Sequence, residues 1–316
     1  MPHIFETKQI KEALEKLDII AAMEEAFKAY SAGQMIVSPQ GELPFKKPAG
    51  KMNLTFGYMK NSPYFMVKMA SDFPGNTKLN KPTGNGMLSL FHKETGEVAA
   101  AFVDEGYLTA ARTAAAGAVA AKQLAPKVIH KIGIFGTGVQ ALLQLDYLRR
   151  VTECRKVMVF GRTEEKRQAY LDKAAALGFE AEEAEVERDV AEQCNLIVTA
   201  TSSHMPMLTA DMVQPGTHIT AVGATTPQKI ELAPLVIKNA DIVVVDSLIE
   251  SKKRGEAYHA VQTGLLKQNT LLELGKIIDN PKKGRLTEEQ ITIADLTGLP
   301  AQDMVIAQAV FQTLTA

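Results

Sequence analysis

The chain has 316 residues, 46% of them hydrophobic and 22% charged, with 35 Lys and Arg against 36 Asp and Glu. This balance, with a formal charge of −1, excludes a disordered chain and leaves no basic surplus of the kind that supports nucleic-acid binding. The length suffices for two ordinary domains.

Two cysteines, Cys154 and Cys194, cannot build a disulfide framework and read as reduced thiols of a cytoplasmic protein. The start, MPHIFETKQIKEALEKLD, has no uninterrupted apolar core of the signal-peptide kind. No stretch approaches the ~20 apolar residues that cross a bilayer, so no membrane partner is expected.

Residues 7–31 read as one helix. Leu14, Leu17, Ile20, Met23, Ala26 and Phe27 recur at three- and four-residue steps, with Thr7 placed to cap the start and Gly33 just past the end. The segments KMNLTFGYM, PYFMVKMAS and GMLSLFHKETGEVAAAFVD are short, aromatic or β-branched, and broken by Gly, Pro and Asn, which predicts strands. Lys93-Glu94-Thr95-Gly96 reads as a hairpin turn between two of them. The region up to about residue 105 therefore predicts a helix and a largely antiparallel sheet.

Leu108–Leu124, LTAARTAAAGAVAAKQL, is a strong helix former with little side-chain bulk, ended by Pro126. Beyond it, strands are expected at 131–135, 156–160, 195–199, 218–222, 241–246 and 291–294. Helical segments between them argue a parallel, doubly wound sheet. The last segment, LPAQDMVIAQAVFQTL, predicts an amphipathic helix that returns to the first domain.

The strongest motif is Gly136-Thr137-Gly138-Val139-Gln140-Ala141, a G-x-G-x-x-A turn between a strand and a helix. The first glycine permits the tight turn, the second lets a pyrophosphate approach the backbone, and the small third residue lets helix and strand pack closely. The helix start adds unpaired N–H groups and a positive dipole end. The sequence predicts dinucleotide binding here. At the end of the second strand, Phe160-Gly161-Arg162-Thr163 has no carboxylate to bind a ribose 2′-hydroxyl. Arg162 and Thr163 suit a 2′-phosphate, which favours NADPH over NADH.

The run Leu108-Thr109-Ala110-Ala111-Arg112-Thr113-Ala114-Ala115, the GTGVQ turn, ATSS at 200–203 and GLPAQD at 298–303 resemble the ornithine cyclodeaminase / mu-crystallin family. The resemblance implies a Rossmann doubly wound α/β domain over 121–296. It also implies an α+β substrate and dimerisation domain, 1–120 with 297–316, and a homodimer built on it. The implied chemistry is NAD(P)-dependent and acts on an amino acid or its imine.

In that light Lys68 matches the lysine that meets the substrate, Thr83 a polar residue near it, and Arg112 the arginine that holds the substrate carboxylate close to the cofactor. Arg112 also stands out physically, because an arginine inside an Ala-rich helix is expensive to bury without an anion. The resemblance further implies cofactor contacts from Arg112 and Thr113, Thr201 and Ser202, and Val222 and Gly223.

Two positions depart from the family. Thr225 stands where cyclodeaminases carry an aspartate, and a threonine cannot hold a substrate ammonium or act as a base near neutral pH. The second substrate arginine, expected near 40–45, is absent; PQGELPF offers Gly41 and Glu42, with Lys46 or Lys47 as possible substitutes. The reading is an NAD(P)H-dependent reductase of a small imino acid, with Δ1-pyrroline-2-carboxylate leading. The alternatives are an alanine-type dehydrogenase, a cyclodeaminase that recycles its NAD, and a non-catalytic ligand-binding protein. Glu231 reads as part of a helix start, and no metal site is expected.

Overall fold

The computed structural model describes residues 1–38, 41–79 and 81–316, so Gln40 of the 40–45 segment lies outside it. The chain divides into two compact units, residues 1–112 with 299–316 and residues 113–298.

The first unit opens with β1 (His3–Glu6), α1 (Thr7–Glu15) and α2 (Ile19–Ser31). The sequence predicts one helix here, but the chain breaks it after Lys16. Asp18 restarts it by accepting from the Ala21 N–H at 3.0 Å, the usual action of an aspartate N-cap. The N-cap of α1 is Glu6 rather than Thr7. Strands β2 (Met35–Val37), β3 (Gly41–Lys46), β4 (Ala49–Met59), β5 (Tyr64–Asp72), β6 (Gly84–His92) and β7 (Val98–Val103) follow. They form a sheet in the order β1-β7-β6-β5-β4-β2, with β3 also on β4. All pairs are antiparallel except β1 on β7. The predicted KETG turn joins β6 to β7, with Gly96 at φ +74°.

Alternation along these strands buries one face. Met66, Leu88, Leu90, Ala100 and Phe102 lie inside, as a half-buried antiparallel sheet requires. The opposite face carries the row Phe56, Val67, Ser89, Ala101 and Ile4, paired across five strands. Helix α3 (Tyr107–Leu124) leaves the sheet after Asp104, and the division between units falls within it.

The second unit alternates strand and helix: β8 (Ile132–Phe135), α4 (Val139–Leu148), β9 (Lys156–Phe160), α5 (Glu164–Ala176), β10 (Glu180–Glu183), α6 (Glu187–Gln193), β11 (Leu196–Thr199) and β12 (His218–Ala221). Then come α7 (Pro234–Asn239), β13 (Ile242–Val245), α8 (Glu256–Gln262), β14 (Leu272–Glu273), α9 (Leu274–Asp279) and β15 (Thr292–Asp295). The eight strands are all parallel, in the order β10-β9-β8-β11-β12-β15-β13-β14. The middle strands β8, β11, β12 and β15 are buried at every residue, as expected of strands covered on both faces. The order reverses between β8 and β11, and ligands of such sheets bind outside the carboxyl ends of the strands at that point. Helix α10 (Pro300–Thr315) belongs to the first unit, where it packs on α2 and β4. No helix among the described residues is long and apolar enough to cross a membrane.

Candidate active site

In the second unit, Gly136 ends β8 with φ +114°. A Cβ there would sit 2.7 Å from the Ala200 carbonyl oxygen beyond β11, so both backbone conformation and space demand glycine. Gly138 is the N-cap of α4, with no side-chain cap, and no atom lies within 4 Å of where its Cβ would stand. The first helical N–H groups thus open onto free space, and a diphosphate can approach them without obstruction. Thr137 is half-buried and touches the neighbouring turn, since a Cβ on Gly161 would meet its Cγ2 at 2.6 Å. Val139 is exposed, and the buried Nε2 of Gln140 has no hydrogen-bond partner among the described residues. These residues fit a dinucleotide.

Arg162 and Thr163 follow Gly161 at the end of β9 and are exposed. Thr163 is the N-cap of α5, but its hydroxyl makes no cap bond. Arg162 has no ion-pair partner among the described residues. Thr113, the first residue of this unit, accepts at its carbonyl from Gln144 Nε2 at 3.0 Å.

The turns after β11 and β12 are tied together by a residue that sequence reading placed at a helix start. Glu231 lies in a bend three residues before α7 and is fully buried. It accepts from Thr199 Oγ1 (2.7 Å), Thr201 N (2.7 Å), Thr201 Oγ1 (2.8 Å) and Gly223 N (2.9 Å). Thr201 and Gly223 are thereby held by one carboxylate. A side chain on Gly223 would collide with it, its Cβ only 2.4 Å from Glu231 Cδ. Val222 is buried, and Ser202 is exposed. Glu256, also buried, accepts from the N–H groups of Glu231 and Leu232, and Asp295 from that of Ala257. Burial raises all three carboxyls above their ordinary range against these neutral donors, Asp295 to about 7. Thr225 is exposed, with no carboxylate in its place.

In the first unit, Lys68 and Arg112 are brought together by a residue to which the sequence reading gave no role. Lys68 projects from the inward face of β5, and Arg112 from α3; each is 8% exposed. Asp303, 4% exposed, stands in the first turn of α10. Both its carboxylate oxygens accept from Lys68 Nζ at 2.9 Å, and Oδ1 also accepts from Arg112 Nε at 2.9 Å. Arg112 Nη1 donates to Gln302 Oε1 at 2.8 Å, and the same oxygen caps the Leu299 N–H at 3.2 Å. Nη2 of Arg112 has no hydrogen-bond partner among the described residues.

Burial works to raise the Asp303 carboxyl, but the charges of Arg112 and Lys68 outweigh it and hold Asp303 below its ordinary value. The positive end of α10 acts in the same direction. Burial lowers the Lys68 ammonium; Asp303 opposes the shift, Arg112 adds to it, and Asp104 opposes it more weakly. Asp104 itself is committed to the start of α3, accepting from the N–H groups of Gly106 (3.1 Å) and Leu108 (2.5 Å). Thr83 lies in the bend before β6, and its carbonyl accepts from Phe73 N. Its side chain shares no hydrogen bond with the Lys68 cluster among the described residues.

Residues 2–316 match the ornithine cyclodeaminase/mu-crystallin family. The protein belongs to that family. It is 35% identical to an alanine dehydrogenase of Archaeoglobus fulgidus over 308 residues, 97% of this chain and 93% of the relative. Among solved structures, it resembles an archaeal alanine dehydrogenase dimer with bound NAD, with a TM-score of 0.91, 32% identity and coverage of 99% and 96% of the two chains. It also resembles the Δ1-pyrroline-2-carboxylate reductase of Thermococcus litoralis in complex with NADH and L-proline, with a TM-score of 0.91, 26% identity and coverage of 99% and 97%.

Proposed function

We propose that this chain reduces a small cyclic imino acid, Δ1-pyrroline-2-carboxylate, to L-proline, with NADPH preferred to NADH. At the coarser level it is an NAD(P)-dependent oxidoreductase acting on C–N bonds. The observation that carries the finer reading is the buried Lys68–Asp303–Arg112 cluster. Two cations share one carboxylate, and the second nearby acid, Asp104, is spent on backbone N–H groups. An open guanidinium edge beside a protonated amine suits a carboxylate next to an imine nitrogen.

Bound reduced nicotinamide supplies the hydride. Arg112 holds the substrate carboxylate through Nη2. Lys68 gives a proton to the imine nitrogen, which becomes the amine of the product, and recovers it from solvent. Gly136–Gln140 receive the diphosphate. Thr113, Thr201, Ser202, Val222 and Gly223 border the rest of the cofactor, and Arg162 with Thr163 takes the 2′-phosphate. Thr83 lies on the substrate side. The exposed Thr225 offers no anchor for a second amine, which argues against cyclisation of a diamino acid.

Oxidation of NADPH and NADH, followed by absorbance with the cyclic imine and with pyruvate plus ammonia, tests the reading. Faster turnover of the cyclic imine is expected. Faster turnover of pyruvate plus ammonia would make this an alanine-type dehydrogenase, and no turnover of either would overturn the reductase.

The outer face of the first unit's sheet supports a homodimer. Ile4 (65% exposed), Leu43 (52%), Ile36 and Phe56 give it an apolar surface of the kind that marks an interaction site. Phe56→Asp should convert a dimer to a monomer in sedimentation; a monomeric unmodified protein would remove the proposal. The two unpaired cysteines support a cytoplasmic setting.

A further inference from the structure

We propose that Asp303 is the positioning residue of this site: its carboxylate aims the Lys68 ammonium at the imine nitrogen and turns the open edge of Arg112 to the substrate carboxylate. The proposal rests on the reductase reading and assigns that site a third member, 191 residues from Arg112 and 235 from Lys68 along the chain.

The geometry is over-determined in the way a positioning group requires. Lys68 Nζ faces both oxygens of Asp303 at equal distance, which fixes its direction as a single contact would not. Oδ1 is shared with Arg112 Nε, so the two cations are held to one point. Gln302, one residue earlier in α10, takes Nη1 and is itself pinned by the Leu299 N–H. The guanidinium thus has Nε and one N–H of Nη1 engaged by adjacent residues of one helix turn, and among the described residues both N–H groups of Nη2 and the second of Nη1 are left for a ligand. A guanidinium fork fixed on two of its three nitrogens has lost most of its rotational freedom before substrate arrives, which is the condition for holding a carboxylate in one orientation. The ammonium has three N–H groups. With Asp303 accepting on one side, a remaining N–H can point to substrate.

The same carboxylate sets the charge state. The titratable groups facing Lys68 are Asp303 from α10, Arg112 from α3 and Asp104 from the turn before α3. Among the carboxylates of the described residues, Asp303 alone hydrogen-bonds to Lys68. Proton transfer breaks one N–H bond of Lys68 and forms one on the substrate nitrogen as the hydride reaches the adjacent carbon. Lys68 is left a neutral amine that still donates to Asp303, and solvent restores its proton. The active form is the protonated one, so the rate falls as pH rises through the Lys68 pKa. Removing the negative charge of Asp303 lowers that pKa, and the fall comes at lower pH.

Two variants and two readouts test this. Asp303→Asn keeps the side chain's shape and removes its charge; Asp303→Glu keeps the charge and displaces it. In imine reduction, Asp303→Asn should move the basic limb of the kcat profile down by about one to three pH units. KM for the imine should rise less than kcat falls, and Asp303→Glu should return the limb toward its original pH. A lower plateau with the limb unmoved would reduce Asp303 to a packing role and overturn the proposal. The second readout needs no substrate. The 15N side-chain resonance of Lys68, assigned by its loss in Lys68→Arg, is titrated in the full chain and in both variants. A lower midpoint in Asp303→Asn is expected, and an unchanged midpoint sinks the proposal whatever the substrate proves to be. If the unmodified protein reduces no imine but the midpoint still moves, the reductase reading fails while the Asp303–Lys68 coupling stands.

Discussion

The two units bury carboxylates in opposite ways. In the first, Asp303 lies between Lys68 and Arg112 and is held ionised by their charges. In the second, Glu231, Glu256 and Asp295 face hydroxyls and backbone N–H groups, with no cation hydrogen-bonded to them among the described residues, and burial drives their pKa values up. A buried carboxyl surrounded by neutral dipoles is a tie for loops; a buried carboxylate shared by two cations leaves those cations oriented and able to act. The first arrangement suits a site that must handle a proton, the second a site that must hold its shape around a cofactor.

The largest effect that tests this contrast is on turnover. Lys68→Ala should lower imine reduction by about 10²- to 10⁴-fold, while a fluorescence titration shows reduced cofactor bound as before. Equal loss of both would mean that the two units do not divide the work.

The next concerns stability and its pH dependence. Asp295 titrates near 7 in the folded chain, well above its ordinary value of 3.8. Its folded form therefore prefers the proton. Its contribution to stability is full below pH ~4 and is lost as pH rises through about 7, the total being on the order of a few kcal/mol. Asp295→Asn removes that dependence, so its stability relative to the unmodified chain should improve between pH 5 and pH 9 in urea unfolding. A constant difference across that range would show that the carboxyl is ionised throughout.

Gly136→Ala tests the turn itself. With φ at +114° and the Ala200 carbonyl in the way, the variant should lose about 1–3 kcal/mol of stability and bind reduced nucleotide weakly in the same titration. The smallest effect is expected at the exposed Arg162. Arg162→Ala should weaken NADPH by about tenfold, the value of one charge-assisted hydrogen bond at a surface, and leave NADH unchanged. An equal effect on both nucleotides would take Arg162 out of cofactor choice.

Much of the second unit was legible because buried parallel strands such as IGIF and IVVV write themselves as short apolar runs, and the G-x-G turn has a local cause. The edge strand β10, EAEE, was not, since nothing in its composition favours a strand; it forms by pairing with β9. The split between α1 and α2 was hidden because the apolar stripe continues past Lys16 while Asp18 restarts the helix. At the site, Arg112 was legible as a charge among alanines that needs an anion. Its anion was not, because Asp303 comes from the far end of the chain and only tertiary packing joins them. One local signal existed: GLPAQD puts the helix's one charged residue in its first turn. Glu231 gave the opposite trap, since a carboxylate just before a proline-initiated helix has a ready local explanation that its four hydrogen bonds overrule.

Because α10 completes the first unit, that unit cannot close while the ribosome is still translating the middle of the message. The second unit has every one of its strands by residue 298 and can form on the nascent chain as soon as that residue emerges. The β-sheet made first waits, with the Lys68 and Arg112 charges unneutralised, for a helix delivered last. A product released before Asp303 would hold every strand of the second unit but lack the carboxylate that Lys68 and Arg112 share.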